Sequence, residues 1–511
     1  MNPIPLFKVY MNPEVDKFIS PTLTSGMITQ GKKVEEFEEV LKKYFNYPYL
    51  LTLNSATSGL TLAYRLLNLN SEKDQVISTP LTCFATNSAI LSNNLSIVWA
   101  DTDPNTCNID LEDVKKKINS NTKVLSFVHW GGNPIDLNKV EELKKYALEE
   151  YEIELKVIED CAHAFGAEYD GKKLGTHGNI CVFSLQAIKH LTTGDGGIIF
   201  LPNEELYKRA KLLRWFGIDR ERRSLPGSDF RLEPDISEYG YKYHMNDINA
   251  SIGLANFPNI ENIINKCRYN AEYYNKKLQN IQDISLFNEA KTSIPSYWIY
   301  TLKVLNNRKS EFIKYMSDKN IVVSQVHARN DNHSCLKQFK TTLKNLDKIE
   351  DEIVSIPVGW WISEKQLEYI ADSIIEFSLN FSISFIEESD LERYQNILFQ
   401  LNNYKKDTLN MNILASRNIY VLKVNNIVVS TAKLFVEDKI YESVGHIEDV
   451  VTDKEYRGHG YGKKLIKYLL HISLHKYNCY KTVLNCSQKL DEFYEKCGMT
   501  KTGSSFSVYK T

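Results

Sequence analysis

The most informative features of this sequence are absences. No run of eighteen apolar residues occurs, so no segment reads as a membrane-spanning helix. The nine cysteines are scattered without a single Cys-x-x-Cys pair, which argues against a disulfide framework or a zinc finger and fits a reducing compartment. An excess of one charge is also missing: 62 Lys+Arg stand against 64 Asp+Glu, for a formal net charge of -2. That balance excludes a global polyanion-binding surface as the main theme. There is no internal repeat and no low-complexity tract, and Met1-Asn2-Pro3-Ile4-Pro5 is not the basic-then-apolar start of a secretory signal. We therefore expect a soluble, cytoplasmic protein with neither a nucleic-acid nor a membrane partner. Hydrophobic residues at 43% and charged residues at 25% are those of a globular chain, and 511 residues allow two to four domains.

Two regimes follow one another. From about Val34 to Phe200, short apolar runs alternate with helical patterns: Val76-Ile77-Ser78, Ile97-Val98-Trp99, Val124 to Val128, Val157-Ile158 and Ile180 to Phe183. This alternation predicts a mostly parallel sheet with both faces covered, and ligands in such sheets collect beyond the carboxyl ends of strands. The polar residues Asp101, His129, Glu159-Asp160 and Ser184 stand at those ends. After Asn256 a smaller α+β unit is expected, with a helix from Glu261 to Gln279, strands around Trp298–Val304 and Ile321–Val326, and a last helix from Glu364 to Phe377. A new start near Ser384 brings strands at Tyr420–Val424, Ile427–Phe435 and Gly445–Val451, a helix from Gly462 to His475 and a strand at Lys481–Asn485. The boundary falls between about Phe377 and Phe385 without a Pro/Gly-rich linker, which suggests docked domains.

Lys189 lies just past a buried strand and beside the glycine-rich turn Thr192-Thr193-Gly194-Asp195-Gly196-Gly197. A lysine becomes a nucleophile when its amine is partly desolvated. Asp160 ends a strand, where a carboxylate suits a pyridinium nitrogen and keeps such a ring an electron sink. Asn54-Ser55-Ala56-Thr57-Ser58-Gly59 opens a helix whose free N–H groups suit a phosphate, and Ser184 adds a hydroxyl. Taken singly, Lys189 reads as a surface lysine, Asp160 as a cap and Ser55 as an N-cap.

Taken in order, these segments resemble the DegT/DnrJ/EryC1/StrS family of pyridoxal phosphate-dependent sugar aminotransferases. The resemblance runs over about residues 10–378, through Gly31 to Glu38, Asn54 to Thr57, Ile158 to Ala167, Phe183 to Gly197 and Gly240 to Asp247. It implies the type I fold of pyridoxal phosphate enzymes over 1–378, with a large domain to about 255 and a small domain over about 256–378. Lys189 would form the Schiff base and shuttle a proton, Asp160 would hold the pyridinium, and His163 would pack near the ring. Ser55, Ala56, Thr57 and Ser184 would bind the phosphate. The family implies a homodimer with shared sites, in which Lys242 takes the place of an asparagine that reaches the partner's phosphate. Cys83 stands where many members carry a ring-stacking aromatic, with Phe84 next. Members with dehydratase activity have histidine in place of Lys189. His327 and Arg329 lie in a polar loop after a strand, where they read equally as a nucleotide-sugar contact or as a solvated loop.

A second constellation sits near the end. Arg457-Gly458-His459-Gly460-Tyr461-Gly462-Lys463 lies between a strand and a helix, where helix N–H groups and two cations suit a pyrophosphate. With Gly445 to Val451 before it and Phe493 to Gly498 after it, the segment resembles the GNAT acetyltransferases, and among them the glucosamine-6-phosphate N-acetyltransferases. The resemblance covers 384–511. It implies an α+β acetyltransferase domain using acetyl-CoA, with pantetheine held by Val450 and Val451 and the pyrophosphate by residues 457–463. Tyr494 would act as general acid toward the leaving thiolate. Glu448 and Asp449 would face the acceptor amine. Two positions depart: Asn485 replaces an aspartate that orients the tyrosine, and Leu490 replaces an asparagine near the sugar-phosphate pocket.

Two sites in one chain suggest consecutive reactions. The expectation is amination at C-4 of a UDP-linked 4-keto-6-deoxyhexose, the 2-acetamido sugar ahead of the 2-hydroxy one, with glutamate as donor. N-acetylation of the new amine would follow. The alternatives are two independent activities, with glucosamine 6-phosphate as the acetyl acceptor, or a C-terminal half that only senses acetyl-CoA.

Overall fold

The computed structural model describes residues 2–69, 71–223, 235–281, 283–305, 307–378, 381–400, 418–424, 427–458 and 460–501. The chain divides into two compact units, 1–375 and 376–511.

The first unit is built on seven strands: β1 (Leu50–Leu53), β2 (Gln75–Ser78), β3 (Ser96–Trp99), β4 (Thr122–Val128), β5 (Lys156–Asp160), β6 (Ile180–Ser184) and β7 (Gly197–Phe200). They lie in the order β1-β7-β6-β5-β4-β2-β3. The run from β6 to β3 is parallel, and β7 opposes both its neighbours. Strand alternation feeds a core on each face: Leu125, Phe127, Val157 and Phe183 pack on one side, and Val124, Val128, Ile158 and Val182 on the other. Being covered twice, the strands read as near-continuous apolar runs. The same alternation sends the neighbouring carboxylates Glu159 and Asp160 to opposite faces.

The helix Ala56–Leu66 lies against β7, and its entry is fixed in two ways. The Ser55 hydroxyl accepts from Ser58 N–H at 3.1 Å as N-cap. At Gly197 a Cβ would fall 2.6 Å from the Ser55 carbonyl carbon and 2.7 Å from Ala56 N, so only glycine lets the helix start so close to the strand. Beneath it, Glu38 accepts from the Thr52 N–H and hydroxyl at 2.9 and 2.8 Å and from Arg214 at 2.6 Å. All three are buried.

A small antiparallel sheet follows, β8 (Ile284–Leu286), β9 (Tyr300–Val304) and β10 (Ile353–Ile356), in the order β8-β9-β10. The strand expected at Ile321–Val326 does not form. Ile321 and Ser324 make isolated bridges to Ile4 and Ser355, and the chain then turns at Val326 with φ 72°. A left-handed conformation at a β-branched residue breaks pairing and is strained.

The second unit is a five-stranded sheet: β11 (Phe381–Phe385), β12 (Ile419–Val424), β13 (Ile427–Asp438), β14 (Ser443–Thr452) and β15 (Lys481–Leu484). Among the described residues only the β14–β15 pair is parallel. The helix Tyr461–His475 covers it through Leu465, Ile466, Leu469 and Ile472.

Candidate active sites

At the carboxyl ends of β5 and β6, Asp160 and Lys189 come together. Asp160 is buried, accepts from the Thr86 hydroxyl at 2.7 Å and from Ala162 N–H at 2.9 Å, and Thr86 in turn pairs with Thr82 at 2.8 Å. Burial still holds its carboxyl above the usual range, against the pull of these bonds. A buried carboxylate with a raised pKa is primed for a cationic partner. Lys189 is half-buried as a residue, while desolvation around its amine brings it down from 10.5 to about 7, against the opposing pull of Asp160. Its amine rests over the Trp298 ring, 3.2 Å from the centroid.

Aromatic and imidazole rings line this space. His163 stacks on Trp298 at 4.1 Å, and His327 lies parallel to His163 at 5.5 Å. Burial holds His163 well below its ordinary pKa, and takes His327 down to about 4. Both are neutral at pH 7. Gly131 N–H reaches His163 Nδ1 at 3.4 Å, leaving its ring proton on Nε2. Among the described residues His327 Nε2 is buried without a hydrogen-bond partner, so an acceptor or donor is missing there. Ser184 is buried at the end of β6, near the loop that Asn249 holds by donating to the Thr193 and Asp195 carbonyls at 2.7 and 2.9 Å. Ser55, Ala56 and Thr57 open the helix described above. Lys242 is exposed on the segment whose neighbour Tyr243 accepts from Asn54 N–H at 2.7 Å, so it stands beside that helix start.

Arg329, read equally as a nucleotide-sugar contact or as part of a solvated loop, is buried. Its guanidinium forms a two-bond fork with Asp331, 2.7 Å each, and reaches Asp347 at 2.6 Å and Glu350 at 3.3 Å. Three carboxylates already neutralise the charge that was to meet a diphosphate, and the residue anchors its loop instead. Asn330 next to it donates to the Thr82 carbonyl at 2.8 Å and accepts from Asn87 at 2.8 Å, joining the His327 loop to the Thr82–Thr86–Asp160 chain. Phe84 does not replace the aromatic missing at Cys83: it is exposed and meets His333 edge-on at 5.3 Å. Thr86, Trp298 and Asn330 were missed from sequence, where nothing local distinguishes a core threonine, tryptophan or asparagine from these.

Glu159, on the other face, is spent on structure. It accepts from Asn179 at 2.7 Å and pairs with His129 Nε2 at 2.9 Å, while His129 Nδ1 accepts from Ile135 N–H.

In the second unit, Thr431 faces Val451 and Lys433 faces Glu448, so Asp449 and Val450 form a bulge opposite Ala432. Asp449 has φ 50° and pairs with Lys433 at 2.6 Å. A bulge leaves backbone groups out of the ladder, open to a ligand. Glu448 is exposed on the same strand. Downstream, Arg457 donates through Nε to the Thr452 carbonyl at 3.0 Å. Gly458 and Gly460 take φ 86° and 77°, and among the described residues the helix from Tyr461 begins without a side-chain cap. Gly462 and Lys463 belong to its first turn. His459 lies outside the described residues. Tyr494 is half-buried, and burial with Cys486 and Cys497 nearby pushes its hydroxyl up to about 12. Asn485 and Leu490 are both exposed.

The donor set of the first unit fits pyridoxal phosphate: a desolvated amine, a buried carboxylate awaiting a cation, an open helix start and an unpartnered imidazole nitrogen. Comparison with known proteins agrees. Residues 10–375 match the DegT/DnrJ/EryC1/StrS aminotransferase family and residues 384–499 match the acetyltransferase (GNAT) family. The chain is 40% identical to the solved structure of the sugar aminotransferase CalS13 from Micromonospora echinospora, with a TM-score of 0.70 over 73% of this chain and 99% of that one. It is 29% identical to a UDP-4-amino-4,6-dideoxy-N-acetyl-beta-L-altrosamine transaminase of Campylobacter jejuni, over 70% of this chain and 92% of the relative. It is 28% identical to the GDP-perosamine synthase of Escherichia coli O157:H7, over 74% and 99%. The chain thus belongs to the DegT/DnrJ/EryC1/StrS aminotransferase family, as a pyridoxal phosphate-dependent sugar aminotransferase that carries an acetyl-CoA-dependent GNAT acetyltransferase domain.

Proposed function

We propose that the chain performs two consecutive reactions on one nucleotide sugar. The first is amination at C-4 of a UDP-linked 4-keto-6-deoxyhexose, the 2-acetamido form preferred, with glutamate as amino donor. The second is N-acetylation of the new amine from acetyl-CoA. The observation that carries the first step is the convergence of the Lys189 amine and the Asp160 carboxylate at adjacent strand ends. The name of the Campylobacter relative, a UDP-4-amino-4,6-dideoxy sugar transaminase, supports the choice of C-4 and of UDP.

In this reading residues 1–378 form the aminotransferase, and Ser55, Ala56, Thr57 and Ser184 hold the cofactor phosphate. Lys242 supplies a further cation from the second copy of a homodimer, and Asp160 meets the pyridinium. Pyridoxal phosphate, when bound, supplies the electron sink. The protein's own part is to hold an amine that is largely neutral slightly above pH 7 and therefore able to take and return a proton. His163, neutral and stacked, keeps the ring side of the site dry. His327, with its free Nε2, offers a hydrogen bond to the sugar.

Residues 384–511 form the acetyltransferase. The bulge at Asp449–Val450 and Val451 offers backbone groups to pantetheine, and the glycine-rich start of the helix at Tyr461 with Arg457 and Lys463 meets the pyrophosphate. Tyr494, protonated at neutral pH, donates to the leaving thiolate. Asp449 is partly neutralised by Lys433, so Glu448 is the freer carboxylate toward the acceptor amine. Leu490, exposed and apolar, offers nothing to a 6-phosphate, and a 6-deoxy sugar has none. Incubation with UDP-4-keto-6-deoxy sugars, glutamate and acetyl-CoA should give a product heavier than the free amine by one acetyl group. A clear preference for glucosamine 6-phosphate as acetyl acceptor would instead establish two unrelated activities.

A further inference from the structure

We infer that Trp298 is a positioning residue for Lys189: its indole face seats the free amine and sets how tightly that amine holds its proton. The inference rests on Lys189 being the cofactor-bearing lysine, as proposed above. Trp298 is buried, and the Lys189 amine lies 3.2 Å from its ring centroid. The indole N–H donates to the carbonyl of Ile188 at 2.9 Å, so the ring is tied to the residue immediately before the lysine it supports. Stacking fixes its orientation, with His163 at 4.1 Å and 25° and Phe7 at 5.0 Å and 24°. The seat is therefore held by a hydrogen bond and two ring contacts, none of which involves the lysine side chain.

A ring face attracts an ammonium through its quadrupole, and the attraction strengthens where water is excluded. It acts on the charged form alone. Desolvation works the other way at this site, lowering the amine to about 7. The other groups that face the amine are Asp160, which favours its charge, Cys83, and the imidazoles of His163, His327 and His190. Trp298 is thus the neutral member of the shell that favours the ammonium, and it does so without supplying a counter-charge that would trap it.

Truncation cannot test this cleanly, since removing the indole admits water and raises the amine's pKa while losing the ring face lowers it. Fluorination separates the two, because it drains the ring's negative face and leaves its shape nearly unchanged. The cofactor-free chain is exposed briefly to pyridoxal 5′-phosphate and borohydride over a range of pH, and the fixed label is quantified at Lys189 by peptide mass. With native tryptophan the labelling rate should reach its half-maximum near pH 7. With tetrafluorotryptophan at position 298 the midpoint should fall by about one pH unit, the shift equivalent to losing a desolvated cation–π contact. Monofluorotryptophan should give a smaller shift in the same direction. A midpoint that does not move, with the label still on Lys189, would overturn the role of Trp298, since a merely structural ring is indifferent to fluorination. A label found on another lysine would overturn the assignment of Lys189 itself.

Discussion

Thr86→Val tests whether Asp160 is held ready for a cationic ring. Valine keeps the shape of threonine and removes the hydroxyl that donates to Asp160 at 2.7 Å. A hydrogen bond to a charged group contributes about 1.5–3 kcal/mol, and it favours the ionised carboxylate over the neutral acid. Asp160 is already pushed up by burial, so the variant's carboxyl titrates at still higher pH. Sign and size follow from comparing the free and loaded protein. Where the variant's free carboxyl is protonated, binding a pyridinium must first ionise it without the bond that once helped. Affinity then falls by up to roughly ten- to a hundredfold, the equivalent of that bond. At pH values where the carboxylate is ionised in both states, the bond is missing from both and the affinity difference fades. Titration of the cofactor-free variant with pyridoxal phosphate, followed by absorbance from pH 5 to 9, should show a deficit that grows as pH falls. A deficit of the same size at every pH would refute the reasoning, because it would mean that Thr86 acts by shape and not through the charge of Asp160.

Lys189→Ala should leave no cofactor fixable by borohydride and no transamination, as read by peptide mass and by amine formation. Mixing Lys189→Ala with Lys242→Ala protomers should recover part of the activity in verified mixed dimers if the two copies share sites; no recovery would count against that sharing. Tyr494→Phe should slow acetyl transfer by about 10²–10⁴-fold while transamination continues, so the free 4-amino sugar accumulates in a product assay. Arg329→Gln should destabilise the first unit by about 3 kcal/mol in urea unfolding, because it leaves Asp331, which is 1% exposed, without its charge partner. Its effect on the KM for the nucleotide sugar should be small beside that loss.

Strand alternation and the helix cap at Ser55 were determined by the sequence alone, because both depend on neighbours within a few residues. So was the placing of Asp160 and Ser184 at strand ends, with Lys189 a few residues on: apolar runs of fixed length leave the next polar residue at the edge of the sheet. The tertiary structure decided what crosses long stretches of chain. Trp298 meets Lys189 from more than a hundred positions away, and Asn330 reaches Thr82 from 248. A polar loop with histidine and arginine carries no mark of which will be free. Arg329 is consumed because Asp331, Asp347 and Glu350 fold around it, while His327 is left with a bare nitrogen by a turn at Val326 that its β-branched side chain would have argued against. Pattern sets which residues reach the edge of the sheet, but packing between distant segments sets which of them keep a hand free for chemistry.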